Sequence, residues 1–501
     1  MEVLRAVLCL LCVSMATTER ILILNFPMKS HTSEMRMIGE ELVRNGHEVY
    51  AVLPPSFPGI DDLKAKSTIR YLTYEMIVPD MYTAYDNVEV SPDWMEDLIR
   101  MTFLDDVSVY NVDPYFPIMA FCTNPLSDKK LYHQLEELRF DLALIDGFME
   151  IRCLYILAYK LGIPYVSQST QYEPWLQRNP ALPSFVPWPI GTGDYGYTEK
   201  MTFWQRLYNT YSLVKFTAFP GVEYLSDDLV RKYAPEKPLV SIDQLAARSL
   251  LWLMDMDVLI DFARPMMPHM VEVGGLTTKP AKPLSADLEK FVAGAEHGVI
   301  VASFGSLGSN LPSRVNKRLM AAFSRVPQRV VWAFPHDAPE ETPANVLVLR
   351  WIPQNDLLGH NNTKLFITHC GANGQFEALY NAVPMIAMPL FGDQPYNALR
   401  AEYNGIGLQM NILEFTPDDL TKAIDRVIHG DYGRQIQRLS DIFRSRPLTP
   451  VQRSAYWIEH ILEYGGDHLK SYALEMPWYE YLMLDILLFV LGIALIAVTL
   501  L

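Results

Sequence analysis

The segment 21 to 53 constrains the fold most. A continuous apolar run, ILILNF (21 to 26), is followed by a helical pattern from His31 to Asn45. Gly46 then stops the helix and a second run, HEVYAVL (47 to 53), begins. A strand that is apolar throughout must be buried on both faces, so the pattern predicts a strand, helix, strand unit of a parallel sheet. The same alternation returns at FDLALID (140 to 146), a helical pattern over 150 to 161, and IPYVSQS (163 to 169). It returns again at GVIVASF (298 to 304), RVVWAF (329 to 334), NVLVL (345 to 349), LFIT (365 to 368) and PMIAMPL (384 to 390). The fold class is therefore α/β.

With 501 residues the chain exceeds what one core supports, roughly 250 to 300 residues. The glycines and prolines of GGLTTKPAKPLS (274 to 285) predict a linker between two doubly wound domains, 19 to 273 and 286 to 445. A formal charge of -16 argues against nucleic acid as a partner, since phosphate-backbone binding needs clustered cations. Small molecules are the expected partners.

Residues 1 to 18 combine one Arg, a short apolar run and small residues, as a secretory signal peptide does. A first membrane helix is the alternative, but the run is too short to span a bilayer. Residues 482 to 501 form an apolar stretch broken only by Asp485, long enough for one C-terminal transmembrane helix, with Trp478, Tyr479 and Tyr481 as an interfacial belt. A removable lipid-anchor signal fits less well, because bulky aromatics precede the run where small residues would be needed. Beyond the signal only Cys122, Cys153 and Cys370 remain, which support neither a disulfide framework nor a metal site. No zinc spacing is present, so no metal is expected. The aromatic and proline-rich stretch 172 to 190 suits either a lipophilic pocket or a local hydrophobic cluster.

In open parallel sheets, ligands bind beyond the carboxyl ends of the strands, where helix N-termini present free N–H groups. After the strand at 298 to 304 comes GSLGSN (305 to 310), with Ser306 a hydroxyl donor for phosphate, although any Gly and Ser turn would look alike. After 365 to 368 comes THCGANGQFEALY (368 to 380), in which His369 and Asn373 flank small residues leading into a helix, an arrangement suited to a diphosphate. Glu377 is expected in the first turn of that helix, either on ribose hydroxyls or serving the helix dipole. Asp393 and Gln394 in FGDQPYN (391 to 397) offer a carboxylate and an amide to adjacent sugar hydroxyls. Trp351 offers a flat face to a base and Gln354 an amide to its edge.

The stretches WIPQNDLLGH (351 to 360), FITHCGANGQFEALYNAVPM (366 to 385) and PLFGDQPYNA (389 to 398) together resemble the donor-binding signature of the UDP-glycosyltransferase family, of the membrane-bound animal glucuronosyl and glucosyl type. The resemblance extends to 264 to 284, to SFGS (303 to 306) and to the segment before WYEYLMLD, and is weakest between 55 and 140. It implies two facing Rossmann-like domains of the GT-B type. The first would take a small lipophilic acceptor, and the second a UDP-sugar. Helices over 446 to 481 would return toward the first domain and the membrane. It also implies Trp351 and Gln354 on uracil, Ser306, His369 and Asn373 on the diphosphate, Glu377 on ribose, and Asp393 and Gln394 on the sugar. No cofactor is implied, and the reaction inverts the anomeric carbon.

Attack of an acceptor hydroxyl needs a base, and His31 stands after the first strand at a helix start, where a helix N-terminus would keep imidazole neutral near pH 7. Read from residues alone, His31 serves equally as a helix cap. Asp146 ends FDLALID and could fix the imidazole tautomer. The family's catalytic-histidine and aspartate segments resemble 30 to 52 and FDLALIDG, which supports His31 as general base with Asp146 behind it. Cys370 stands where the family commonly has glycine, so a thiol beside the diphosphate and a sensitivity to oxidation are expected. Many glucuronosyl members of the family have a basic or polar residue where Ala333 offers nothing to a donor carboxylate, which weighs against glucuronate without excluding it and leaves glucose, glucuronate or another sugar open. The chain stops at Leu501 with no basic tail, so retention in the endoplasmic reticulum membrane, single-pass with lumenal domains, is expected to depend on other features. Asn361 begins an N-glycosylation triplet. Homodimers or heterodimers are compatible with the family. The competing reading is a catalytically silent UDP-sugar-binding subunit, motivated by Cys370 and the missing tail and opposed by the intact His31, Asp146, Glu377, Asp393 and Gln394.

Overall fold

The computed structural model describes residues 18–80, 99, 115–170, 172–178, 180, 182–187, 197–218, 228–305, 311–334 and 342–500. Residues 1 to 17 of the expected signal peptide, Ser306, and parts of the aromatic stretch 172 to 190 lie outside them.

Two parallel sheets carry the molecule. In the first, β1 (Arg20–Leu24), β2 (Glu48–Leu53), β3 (Arg70–Thr73), β4 (Leu142–Asp146), β5 (Tyr165–Ser169), β6 (Trp252–Met254) and β7 (Met270–Glu272) run in the order β3-β2-β1-β4-β5-β6-β7. In the second, β8 (Val299–Ser303), β9 (Arg329–Ala333), β10 (Val346–Leu349), β11 (Thr363–Thr368), β12 (Met385–Ala387) and β13 (Gly407–Gln409) run in the order β10-β9-β8-β11-β12-β13. Both orders reverse direction next to their first strand, which opens a crevice at the strand ends beside β1 and β8.

The apolar runs are explained by burial on both faces. Leu22 and Leu24 enter one core and Ile21 and Ile23 another on the opposite side of the sheet. Leu365 and Ile367 are likewise separated from Phe366 in the second sheet. The sequence pattern missed β3, β6, β7 and β13, which at three or four residues are too short to show a period. The helix expected over 150 to 161 is a 3₁₀ turn, Met149–Leu154, with a kink at Ile151, followed by the α-helix Tyr155–Leu161.

The glycines of the expected linker serve close approach. A Cβ on Gly274 would lie 2.5 Å from Phe376 Cζ and 2.7 Å from the Met256 carbonyl oxygen, and Gly275 has φ of 92°. The chain therefore crosses between the sheets pressed against the helix Ala372–Tyr380. Helix Pro450–Tyr464 then returns to the first sheet, where Val451, Ala455, Ile458 and Ile461 join the core containing Ile21 and Ile23.

Two expectations are corrected here. Cys122 and Cys153 form a disulfide, Cα to Cα 5.7 Å, joining the helix Tyr115–Ser127 to the 3₁₀ turn after β4. Their 31-residue separation carries no pairing signal of its own. In place of a twenty-residue span, the C-terminal helix is Leu484–Leu500, 17 residues, because Met483 adopts φ of 54° and separates it from the turn Trp478–Tyr481. Among the described residues, no helix is long and apolar enough to cross a membrane. From Asp485 to Leu500 every residue of this last helix is nonetheless exposed.

Candidate active site

The helix Lys29–Arg44 starts directly after β1 and places His31 in its first turn. His31 caps nothing. Its Nδ1 lies 2.7 Å from Asp146 Oδ2, at the end of β4, the neighbour of β1. Asp146 is fixed in turn by backbone N–H donors: Phe26 to Oδ2 at 3.1 Å and Phe148 to Oδ1 at 3.0 Å. The rings of Phe26 and Phe148 meet the imidazole edge-on, with centroids 5.4 and 5.1 Å away. The dyad thus sits in a partly apolar wall, with Nδ1 committed to Asp146.

The expectation of a neutral imidazole near pH 7 does not hold. Burial opposes the imidazolium, but the nearby charges of Asp146, Glu34 and Asp393 outweigh it and raise His31 to about 9. Asp393 belongs to the second domain, so the cleft brings the loop before the helix Gln394–Tyr403 against the dyad.

On the second domain, His369 follows β11 and lies between two glycines. A Cβ on Gly305 would sit 2.6 Å from its Nε2, and one on Gly371 would sit 2.8 Å from the same atom. Burial lowers His369 to about 4, so it is neutral and can donate one N–H. Gly371 caps the helix Ala372–Tyr380 without a side-chain hydrogen bond, which leaves the first N–H groups of that helix free of a side-chain cap. Glu377 is in the second turn of this helix, since the helix starts at Ala372, and therefore cannot serve as a first-turn dipole partner. Its Oε2 accepts from Gln354 Nε2 at 2.7 Å, and burial pushes its carboxyl up to about 7.

Asp393 accepts from Asn397 Nδ2 at 2.6 Å, and burial raises its carboxyl. Gln394 Oε1 accepts from the backbone N–H groups of Leu390 and Phe391, at 2.9 and 3.2 Å, which fixes the loop and the amide together. Trp351 is 77% exposed and, with Leu288, Phe291, Leu349 and Pro353, borders a cavity of about 810 Å³.

Cys370 departs from expectation. It has φ of 64°, the region that favours glycine, and its side chain is fully buried in the core beneath the sheet. Burial pushes the thiol up to about 12, which disfavours the reactive thiolate and runs against the expected sensitivity to oxidation.

Three cleft residues escaped the sequence reading: Glu34, Gln168 and Asp255. Glu34 lies one turn after His31 and is 2% exposed. Burial and the charge of Asp255 raise its carboxyl well above the usual range, and burial raises Asp255 to about 6. The available signal was a glutamate in the buried stripe of an amphipathic helix, with Met35, Ile38 and Leu42.

A cleft between two doubly wound parallel sheets, with a histidine and aspartate dyad facing a polar loop on the other sheet, defines a glycosyltransferase of the GT-B fold. Solved structures share that fold. The calicheamicin glycosyltransferase matches with a TM-score of 0.60 at 17% identity, covering 89% of this chain and 99% of the other. The kitacinnamycin glycotransferase matches at 0.59 and 22%, covering 88% and 98%. The chain belongs to the family described as UDP-glucoronosyl and UDP-glucosyl transferase, whose pattern it matches over residues 21–501. It is 34% identical to UDP-glucuronosyltransferase 1A9 of Mus musculus over 503 residues, 98% of this chain and 92% of the relative. It is 33% identical to UDP-glucuronosyltransferase 1A8 of Rattus norvegicus over 485 residues, 94% and 88% of the two chains. The protein is a UDP-glycosyltransferase.

Proposed function

We propose that the enzyme transfers a hexosyl or hexuronosyl group from a UDP-sugar to a hydroxyl of a small lipophilic acceptor, with inversion. The observation that carries this reading is the pairing of His31 Nδ1 with Asp146 Oδ2 opposite Asp393. In the reaction, His31 Nε2 takes the acceptor proton as the acceptor oxygen bonds to the anomeric carbon. The bond from that carbon to the diphosphate oxygen breaks, and UDP leaves with the electron pair. Asp146 offsets the imidazolium that forms and keeps the ring in one tautomer. His369, Asn373 and the uncapped N-terminus of helix Ala372–Tyr380 suit the diphosphate, Trp351 and Gln354 the base, Glu377 the ribose, and Asp393 with Gln394 the sugar.

For location, we propose that both sheets lie in the lumen of the endoplasmic reticulum, with the apolar helix Leu484–Leu500 resting against its membrane. The helix buries none of its side chains against protein, which is the state expected of a lipid-facing segment, and Trp478 and Tyr479 suit the interface. Asn361, exposed at a turn, is accessible for glycosylation. The test is product formation by membranes carrying the protein. UDP-glucose, UDP-glucuronate, UDP-galactose and UDP-N-acetylglucosamine are supplied separately with phenols and sterols, and His31→Ala membranes are the blank. Conjugation with one donor, absent from the blank, supports the reading and identifies the sugar. Conjugation that persists in His31→Ala removes the base from His31.

A further inference from the structure

Asn373, the amide read above as a diphosphate ligand, is already occupied in this structure, and its partner comes from the opposite domain. Asn373 Nδ2 donates to Glu34 Oε1 at 2.7 Å, while Asn373 Oδ1 accepts from Thr277 Oγ1 at 2.9 Å. The second oxygen of Glu34 accepts from Gln168 Nε2 at 2.9 Å. A carboxyl on the same helix as His31 therefore holds the start of the helix Ala372–Tyr380 across the cleft.

The surroundings of Glu34 are mostly acidic. His31 on its own helix faces it as a cation. Asp146 from the end of β4 and Asp255 from the segment after β6 are the anions, and Arg400 acts on Asp255 from behind. Asp255 Oδ2 and Gln168 Oε1 are buried acceptors without a hydrogen-bond partner. An ionised Glu34 adds charge to this group, whereas a protonated one relieves it. Its raised titration agrees with that geometry.

We propose that Glu34 is a positioning residue for the donor: it holds Asn373 across the cleft, and binding of a nucleoside diphosphate beside Asn373 requires Glu34 to carry a proton. The physical reason is repulsion. A diphosphate at Asn373 meets the carboxyl that bonds the same amide, in a buried site where like charges are poorly screened. Donor binding then takes up a proton, and donor affinity falls as pH rises through the titration of Glu34. This rests on the reading of 368 to 373 as the diphosphate site.

The test uses the full chain in lipid nanodiscs and calorimetric titration with UDP-glucose and UDP-glucuronate. Their diphosphates are doubly esterified and do not titrate between pH 6.5 and 9, and the same titration with uridine alone subtracts the uracil N–H, so the remaining proton uptake reports on the protein. Two buffers of different ionisation heat count the protons. The wild type is expected to take up a proton on binding above pH 8, and to lose affinity by up to about tenfold per pH unit there. Glu34→Gln is near-isosteric, and the unpartnered Gln168 Oε1 can accept from its amide. This variant is expected to bind with no such uptake and with a flattened pH profile of donor affinity. Binding by the wild type without proton uptake overturns the proposal. So does uptake that survives in Glu34→Gln and vanishes in His31→Gln. If His369→Ala and Asn373→Ala bind donor as tightly as wild type, the diphosphate reading itself fails, and the inference with it.

Discussion

Asp146 Oδ2 lies 2.7 Å from His31 Nδ1, joining two residues 115 apart in sequence, one ending β4 and the other in the first turn of the helix that follows its neighbour β1. The same oxygen receives the Phe26 N–H, so the carboxylate is oriented by backbone before it orients the imidazole. The pair is a consequence of β1 and β4 being neighbours in the sheet order.

Removing the imidazole should abolish proton transfer and leave the donor cleft intact. His31→Ala is expected to lower kcat by about 10² to 10⁴-fold. Asp146→Asn, which keeps the shape and removes the charge, should show a loss of similar size. Donor binding by calorimetry should change little in either. A variant with near-normal turnover would remove that residue from the mechanism.

The pH dependence follows from the raised histidine. With His31 at about 9, most of the imidazole proposed as base is protonated at neutral pH. Acceptor kcat/KM should therefore rise with pH, by up to about tenfold per unit, toward a plateau near pH 9. Asp146 is the leading cause of the increase, so the residual activity of Asp146→Asn should reach its plateau at lower pH. An acidic optimum in the wild type would contradict the assignment.

Gly371 has no room for a side chain, because its Cβ would come 2.8 Å from His369 Nε2. Gly371→Ala has an allowed backbone, with φ of -63°, so its effect should fall on the ring rather than the fold. We expect donor affinity to drop by about tenfold or more, consistent with the loss of a buried polar contact. Thermal unfolding should be nearly unchanged. An unaltered donor Kd would exclude His369 from the donor site.

The disulfide should matter for both stability and turnover. Replacing Cys122 and Cys153 by serine removes a cross-link over 31 residues and should cost about 3 to 4 kcal/mol. The bridge also anchors the 3₁₀ turn that follows Asp146, so kcat should fall with it. Thermal unfolding and turnover under matched conditions check both parts. Equal melting temperatures would show that the bridge carries no load.

The sequence alone determined the two parallel sheets and the polar loops that follow their strands. Runs apolar at every position, such as 21 to 24 and 365 to 367, point to strands covered on both faces, and strand ends are where such sheets bind ligands. His31, Asp146, His369, Asn373 and Asp393 were legible because each follows or ends such a run. Other features depended on contacts between residues far apart in the chain. The pairing of Cys122 with Cys153, the turning of Cys370 into the core, and the placing of Glu34 and Asp255 behind the dyad have no local period to announce them. The proton affinity of His31 was decided in the same way. A helix start predicts a neutral ring, but carboxylates from two domains, brought together only by folding, outweigh both the helix and the burial.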